Sequence, residues 1–189
     1  MRYATKWPQY RDQWDRMEVL PGREHEFEHI AATILGNKAR YQPIEEATGV
    51  PWYMIAVLHT RESSGNFSTY LGNGQSLQHV TTIVPKGRGP FRTFFDGAVD
   101  ALKVDGLSSV TDWRLEKILF FCELFNGAGY DIRGLPSPYI WGGTNIQKKG
   151  KYVSDGHFEP YEMDTQPGCA PILAAMEKAD DTIQFAREA

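Results

Sequence analysis

The chain has 189 residues, 41% of them hydrophobic and 13% aromatic, with 20 Lys and Arg against 24 Asp and Glu for a formal charge of −4. That length suits one substantial domain over residues 1–189, and the composition is too apolar for a disordered chain. The mild negative charge supplies no global drive toward nucleic acid, so nucleic acid is not expected as a partner and any basic contact has to be local, as in Gln147-Lys148-Lys149-Gly150-Lys151.

In chain order, residues 1–22 carry Tyr3, Trp7 and Trp14 in a polar setting and end at Pro21-Gly22, which predicts a first helix or an extended lead-in. Residues 23–40 read as a helix with Phe27, Ile30, Ala31, Ile34 and Leu35 as an apolar stripe and Gly36-Asn37 as its stop. A short helix from about Pro43 to Thr48 follows. Pro51 then opens a helix through Trp52-Tyr53-Met54-Ile55-Ala56-Val57-Leu58, closed by Ser63, Ser64 and Gly65. From Phe67 to Val84 the texture is Thr, Val, Ile and Tyr, broken by Gly72-Asn73-Gly74. An Asn-Gly pair between such runs predicts a small β-hairpin directly after the preceding helix. Residues 85–90 form a loop, helices return in Thr93–Val104 and Thr111–Phe125, and Thr111 or Asp112 is the expected cap of the latter. A Gly- and Pro-rich loop runs from Gly127 to about Gly156, and a closing helix is expected over Cys169–Arg187. The predicted fold class is mostly α, an α+β arrangement of a helical body with one small hairpin beside a substrate cleft.

The two cysteines, Cys122 and Cys169, lack metal-site spacing and are too few for a disulfide framework. No apolar run reaches the ~20 residues needed to span a bilayer, and the N-terminal stretch lacks the apolar region of a secretory signal. No integral membrane segment, no resident metal and no cofactor are therefore expected, and a monomer is the default.

Three places carry chemistry. His25-Glu26-Phe27-Glu28-His29 matches H-E-x-x-H on a predicted helix, where two His could hold zinc and the Glu could act as base, but a pattern with two free positions arises readily by chance and its flanks read as a solvated charged face. Glu62 ends a mostly apolar helix, with Ile55, Leu58 and His59 at helical spacing on the same side. A carboxyl held against such a surface, at the negative end of a helix dipole, is disfavoured in its charged form and suits a general acid. A surface Glu closing a helix is the competing structural reading. Third, Glu123 to Tyr130, followed by Pro136-Ser137-Pro138-Tyr139-Ile140-Trp141, offers the Asn126 amide and flat rings of the kind that stack on sugars.

The string from Tyr41 and Ile44 through Pro51-Trp52-Tyr53 to His59-Thr60-Arg61-Glu62-Ser63-Ser64-Gly65-Asn66-Phe67 resembles goose-type lysozymes and soluble lytic transglycosylases, whose Glu-Ser pair ends the catalytic helix. Phe125-Asn126-Gly127-Ala128-Gly129 is similar to that superfamily's Tyr-Asn-Ala-Gly element, with Phe for Tyr and one residue more before the second Gly. The nearest resemblance is to phage and prophage lysozyme-like proteins, over roughly residues 40–156. It implies a lysozyme-like fold and cleavage of the β-1,4 bond of peptidoglycan glycan strands, with Glu62 as general acid. His59, Ser63, Asn126, Tyr130, Tyr139 and Trp141 are the implied substrate contacts. Where the group has Asn-Gly-Asp, this chain has Asn73-Gly74-Gln75, so Gln75 could only orient water. Thr81 and Asp96 are other candidates for that task, and Asp100 is available although a structural role suits it better. Relatives of this kind stay in the host cytoplasm until holin-type release to the cell wall, or travel in the virion. A lytic transglycosylase, a chitin-type substrate, and a wall-binding or tail protein without activity are the alternatives.

Overall fold

The computed structural model describes residues 1–154 and 156–188. The chain is mostly helical with one small two-stranded antiparallel sheet. Its contacts divide it into two compact units, one built from residues 1–32 and 114–189 and the other from residues 33–113.

The second unit holds the Glu62 helix. It contains α3 (Lys38–Thr48), α4 (Trp52–Ser63) and α5 (Phe94–Val104), with a single 3-10 turn at Leu107–Ser109. Both α4 and α5 pack on α3. Trp52, Met54, Ile55, Ala56, Val57, Leu58, His59 and Arg61 of α4 are all buried, so the helix is enclosed on every side rather than amphipathic. α5 starts where the sequence placed it, because Thr93 accepts from the Asp96 N–H while the Asp96 carboxylate accepts from the Thr93 N–H, a reciprocal cap worth about 1 kcal/mol. Gly97 lets Leu77 pack directly on α5, since a Cβ there would lie 2.7 Å from the Leu77 side chain.

The expected hairpin over Phe67–Val84 does not form. The chain does turn at Gly72-Asn73-Gly74, with Gly74 at φ +71°, but the pairing stops at one bridge, Thr69 to Ser76, flanked by Tyr70 N–H to Gln75 C=O at 2.6 Å and Leu77 N–H to Ser68 C=O at 3.0 Å. Beyond it the backbone groups bond to side chains, which leaves no ladder to propagate. The small sheet lies elsewhere, in β1 (Lys151–Ser154), at the end of the stretch expected to be loop, and β2 (His157–Glu159), just beyond it.

The first unit contains α1 (Tyr3–Asp15), most of α2 (Glu24–Gly36), α6 (Leu115–Asn126), the short helices α7 (Gly129–Ile132) and α8 (Pro138–Trp141), the sheet, and α9 (Cys169–Ala179). α1 packs on α6, and α8 packs on both α6 and α9. Cys122 and Cys169 are buried within it and are not joined in a disulfide. Glu116 of α6 is fully buried and accepts from the Arg11 and Arg187 guanidiniums, each at 3.1 Å, and from the Glu188 N–H at 2.9 Å. A carboxylate can be buried at such a place because every charge-bearing oxygen is paired: burial pushes its pKa up, and the hydrogen bonds from the Glu188 and Glu116 backbone, Arg187 and Arg11 outweigh it and leave the pKa lowered. α6 starts after Arg114 with no side-chain cap, so the expected Thr111 or Asp112 cap is not used. α9 stops at Ala179, short of the expected Arg187, where the Asp180 carboxylate accepts from the N–H and hydroxyl of Thr182. Among the described residues no helix is long and apolar enough to cross a membrane.

Candidate active site

Glu62 occupies the last turn of α4 and is half-buried, in a helix whose neighbouring turns are enclosed. The helix ends abruptly. Ser64 adopts φ +53°, the left-handed conformation, and is the one residue other than glycine with positive φ among the described residues. Such a position costs a side-chain-bearing residue about 1–3 kcal/mol and persists only where the surroundings enforce it. Here Ser64 N–H bonds to Thr60 C=O at 2.9 Å and Gly65 N–H to His59 C=O at 3.2 Å, which closes the orphan carbonyls of the helix end. Ser63 Oγ donates back to His59 C=O at 3.3 Å.

The following turn presses on this end. A Cβ at Gly74 would lie 2.7 Å from the Glu62 carbonyl oxygen and 3.9 Å from Ser63 Cβ, so only glycine permits that approach. The structure thus brings the Asn73-Gly74-Gln75 turn against the helix end that carries Glu62.

Gln75 itself is committed to holding a loop. Its Oε1 accepts from Thr82 N–H at 2.8 Å and Ile83 N–H at 3.2 Å, and its Nε2 donates to Thr82 Oγ1 at 3.0 Å. Asn73 reinforces it by donating to Ile83 C=O at 3.2 Å and accepting from the Gln75 N–H at 3.1 Å. Thr81 is buried, and its hydroxyl donates to Pro85 C=O at 2.6 Å and accepts from Arg88 N–H at 3.0 Å. Asp96 is engaged in the α5 cap. Asp100 accepts from Tyr70 Oη at 2.9 Å and from the Arg88 guanidinium through both nitrogens, and the Arg88 hydrogen bond holds its pKa below the usual carboxylate range. Tyr70 stacks flat on Phe91 at 5.2 Å. Replacing Gln75 by Ala should therefore lower unfolding stability by about 1–2 kcal/mol, from lost hydrogen bonds, and open residues 80–88 to limited proteolysis. Equal digestion rates for variant and parent would show that the loop does not depend on Gln75.

His59 is not an open sugar contact. It is 0% exposed, packed between Phe67 and Phe94 at ring distances of 4.7 and 4.3 Å, with Nδ1 3.0 Å from Tyr41 Oη. Burial pushes its pKa down to about 4, opposed by the Asn66 backbone and aided by Arg40. It is a neutral strut behind the turn that follows Glu62.

The remaining candidates belong to the first unit. Asn126 is the exposed last residue of α6. Tyr139 and Trp141 are 4% and 1% exposed, so neither ring has a face open for a sugar, which corrects the expectation of stacking residues. The reason is that the Gly- and Pro-rich stretch folds inward against the segment that follows it: a Cβ at Gly142 would collide with the Gln166 carbonyl, and Gly168 N–H bonds to Gly142 C=O at 2.8 Å. Tyr130 is also buried, its hydroxyl accepting from Tyr152 N–H at 3.1 Å and its ring standing edge-on to Tyr152 at 5.2 Å. The open surface nearby is a pocket of about 550 Å³ lined by Ile132, Arg133, Leu135, Tyr152 and Phe158, which sequence reasoning passed over because Tyr152 lay in an expected loop and Phe158 just beyond it.

Buried acid in this unit is structural in form. Glu123 accepts from Tyr10 Oη and faces Lys6 Nζ at 3.8 Å, and burial raises its pKa. In the H-E-x-x-H stretch Phe27 points into the core, Glu26 pairs with Arg23 at 2.6 Å and the exposed His25 contacts Glu28 at 3.2 Å, so the pattern is spent on a charged helix face. Among the described residues no group of His, Cys, Asp or Glu is arranged to hold a metal ion. No protein-family model, no curated protein and no solved structure matches the chain.

Proposed function

We propose that the protein cleaves the β-1,4 glycosidic bond of peptidoglycan glycan strands, with Glu62 as the general acid, in the manner of the lysozyme-like proteins its motifs resemble. The observation that carries this reading is the end of α4: a half-buried carboxyl-bearing residue on the last turn of an enclosed helix, set by the left-handed Ser64 and pressed by Gly74. Strain concentrated beside one acid is the pattern expected of a functional turn.

Glu62 would donate its proton to the leaving glycosidic oxygen as the C1–O bond breaks, leaving an oxocarbenium-like sugar and a carboxylate. A specific observation favours the transglycosylase alternative for the second half. Gln75, Thr81, Asp96 and Asp100, the groups available to activate water, are all engaged in fixed hydrogen bonds. The muramyl 6-hydroxyl of the substrate would then attack C1, return its proton to Glu62, and leave a 1,6-anhydro end. A phage or prophage lysin is the setting in which we place this activity. Mass spectrometry of fragments released from purified sacculi separates the readings: anhydro ends indicate transglycosylation, reducing ends hydrolysis. Binding to sacculi with no fragments would leave a wall-binding or tail protein.

A further inference from the structure

We propose that the loop over residues 79–88 is a docking element for an anionic phospholipid bilayer. The tip displays Val80, Ile83 and Val84 at 50%, 52% and 79% exposure, three aliphatic side chains within five residues. A flexible loop would normally bury such residues or leave them to water; this one is held open by the side chains beneath it. Thr81 closes its base, with its N–H on Arg88 C=O at 2.9 Å, its C=O accepting from Gly87 N–H at 2.9 Å and its hydroxyl bridging Pro85 and Arg88.

Much of the backbone at Thr81–Pro85 is paired from inside. The N–H groups of Thr82 and Ile83 bond to Gln75, the carbonyls of Ile83 and Val84 accept from Asn73 at 3.2 and 3.5 Å, the Pro85 carbonyl accepts from Thr81, and Pro85 has no N–H. Pairing of this kind is what an apolar medium demands of a polypeptide, and water does not. Charge points the same way. Residues 63–95 contain no Asp or Glu in a chain that is acidic as a whole, and Lys86 and Arg92 are exposed there, while Arg88 is paired with Asp100.

Aliphatic tips with a cationic rim suit the headgroup boundary of an anionic membrane. Glycans would be met by aromatic faces and single-stranded nucleic acid by stacking rings, neither of which the tip offers. A second copy would bring like charge against like.

The test is cosedimentation with vesicles of phosphatidylglycerol and phosphatidylcholine in equal parts, and with phosphatidylcholine alone. Wild-type protein should partition onto the anionic vesicles at least tenfold better than the double variant Ile83→Ser/Val84→Ser, and Lys86→Glu should lose several-fold on anionic vesicles only. Both variants alter exposed side chains, and thermal melts matching wild type establish that they are folded. Wild type remaining in the supernatant, a folded double variant that binds as wild type does, or concentration-dependent self-association removed by the double variant would each overturn the proposal. The vesicles contain no glycan, so this outcome is independent of the reading of Glu62.

Discussion

Glu62→Gln is expected to abolish release of soluble fragments from purified sacculi while leaving the fold intact. A positioned general acid contributes about 10²–10⁴-fold to rate, so the residual turnover should fall below detection in an ordinary digestion. Gln keeps the size and a hydrogen-bonding amide but cannot donate a proton to an ether oxygen with a carboxyl's acidity. Because a carboxylate on the last turn opposes the helix dipole, the variant should unfold at the same denaturant concentration as the parent or slightly above it. The combination is diagnostic: activity lost with stability kept or raised. An active Glu62→Gln protein would remove Glu62 from the chemistry, whereas loss of both activity and folding would point to a structural carboxylate.

The second large effect concerns acid stability. His59 is enclosed by Tyr41, Phe67 and Phe94, and its pKa falls from 6.5 to about 4 on folding, chiefly through burial. A base depressed in this way adds stability that is complete above the unfolded pKa and is lost as pH falls through the window between the two values. Between pH 7 and pH 5 that linkage amounts to about 2 kcal/mol, because the unfolded chain takes up the proton and the folded chain refuses it. His59→Leu removes the titrating group and leaves the Tyr41 hydroxyl without its partner, so the variant should be less stable at pH 7 by about 1–3 kcal/mol yet show a shallower decline toward pH 5. Chemical denaturation at both pH values measures this directly. Parallel pH slopes for variant and parent would mean that His59 does not govern the acid limb.

Much of the helical framework is legible in the sequence because local chemistry dictates it. Thr93 and Asp96 cap α5 reciprocally, and Pro51 and the Ser64-Gly65 pair bracket α4 within a residue. What misleads is tertiary competition for the same groups. Asn73-Gly74 signals a turn and a turn forms, but Gln75 and Asn73 side chains take the backbone bonds that a hairpin would have used. The sheet appears instead at Lys151–Ser154 and His157–Glu159, where the Asp-Gly pair at 155–156 is the sequence signal that went unread amid neighbouring glycines.

The candidate site divides along the same line. Glu62 and the Gly74 turn meet because glycine at 74 admits the close approach. Tyr139 and Trp141 looked like sugar platforms because an aromatic loop and an aromatic core have the same composition. Their burial depends on Gly142 and Gly168 closing on each other, a long-range contact that no local pattern announces.

The division of the first unit between residues 1–32 and 114–189 has a consequence in time. On a ribosome, α1 is complete long before its partner helix α6, and the chain adds about 5–20 residues per second. About 100 residues separate the two, so α1 waits about 5–20 s with Tyr10 and its neighbours uncovered, while residues 33–113 are contiguous and can condense as they emerge. The Glu116 clamp onto Arg11 and Arg187 closes last, which makes the nascent N-terminal helix the segment most in need of a chaperone.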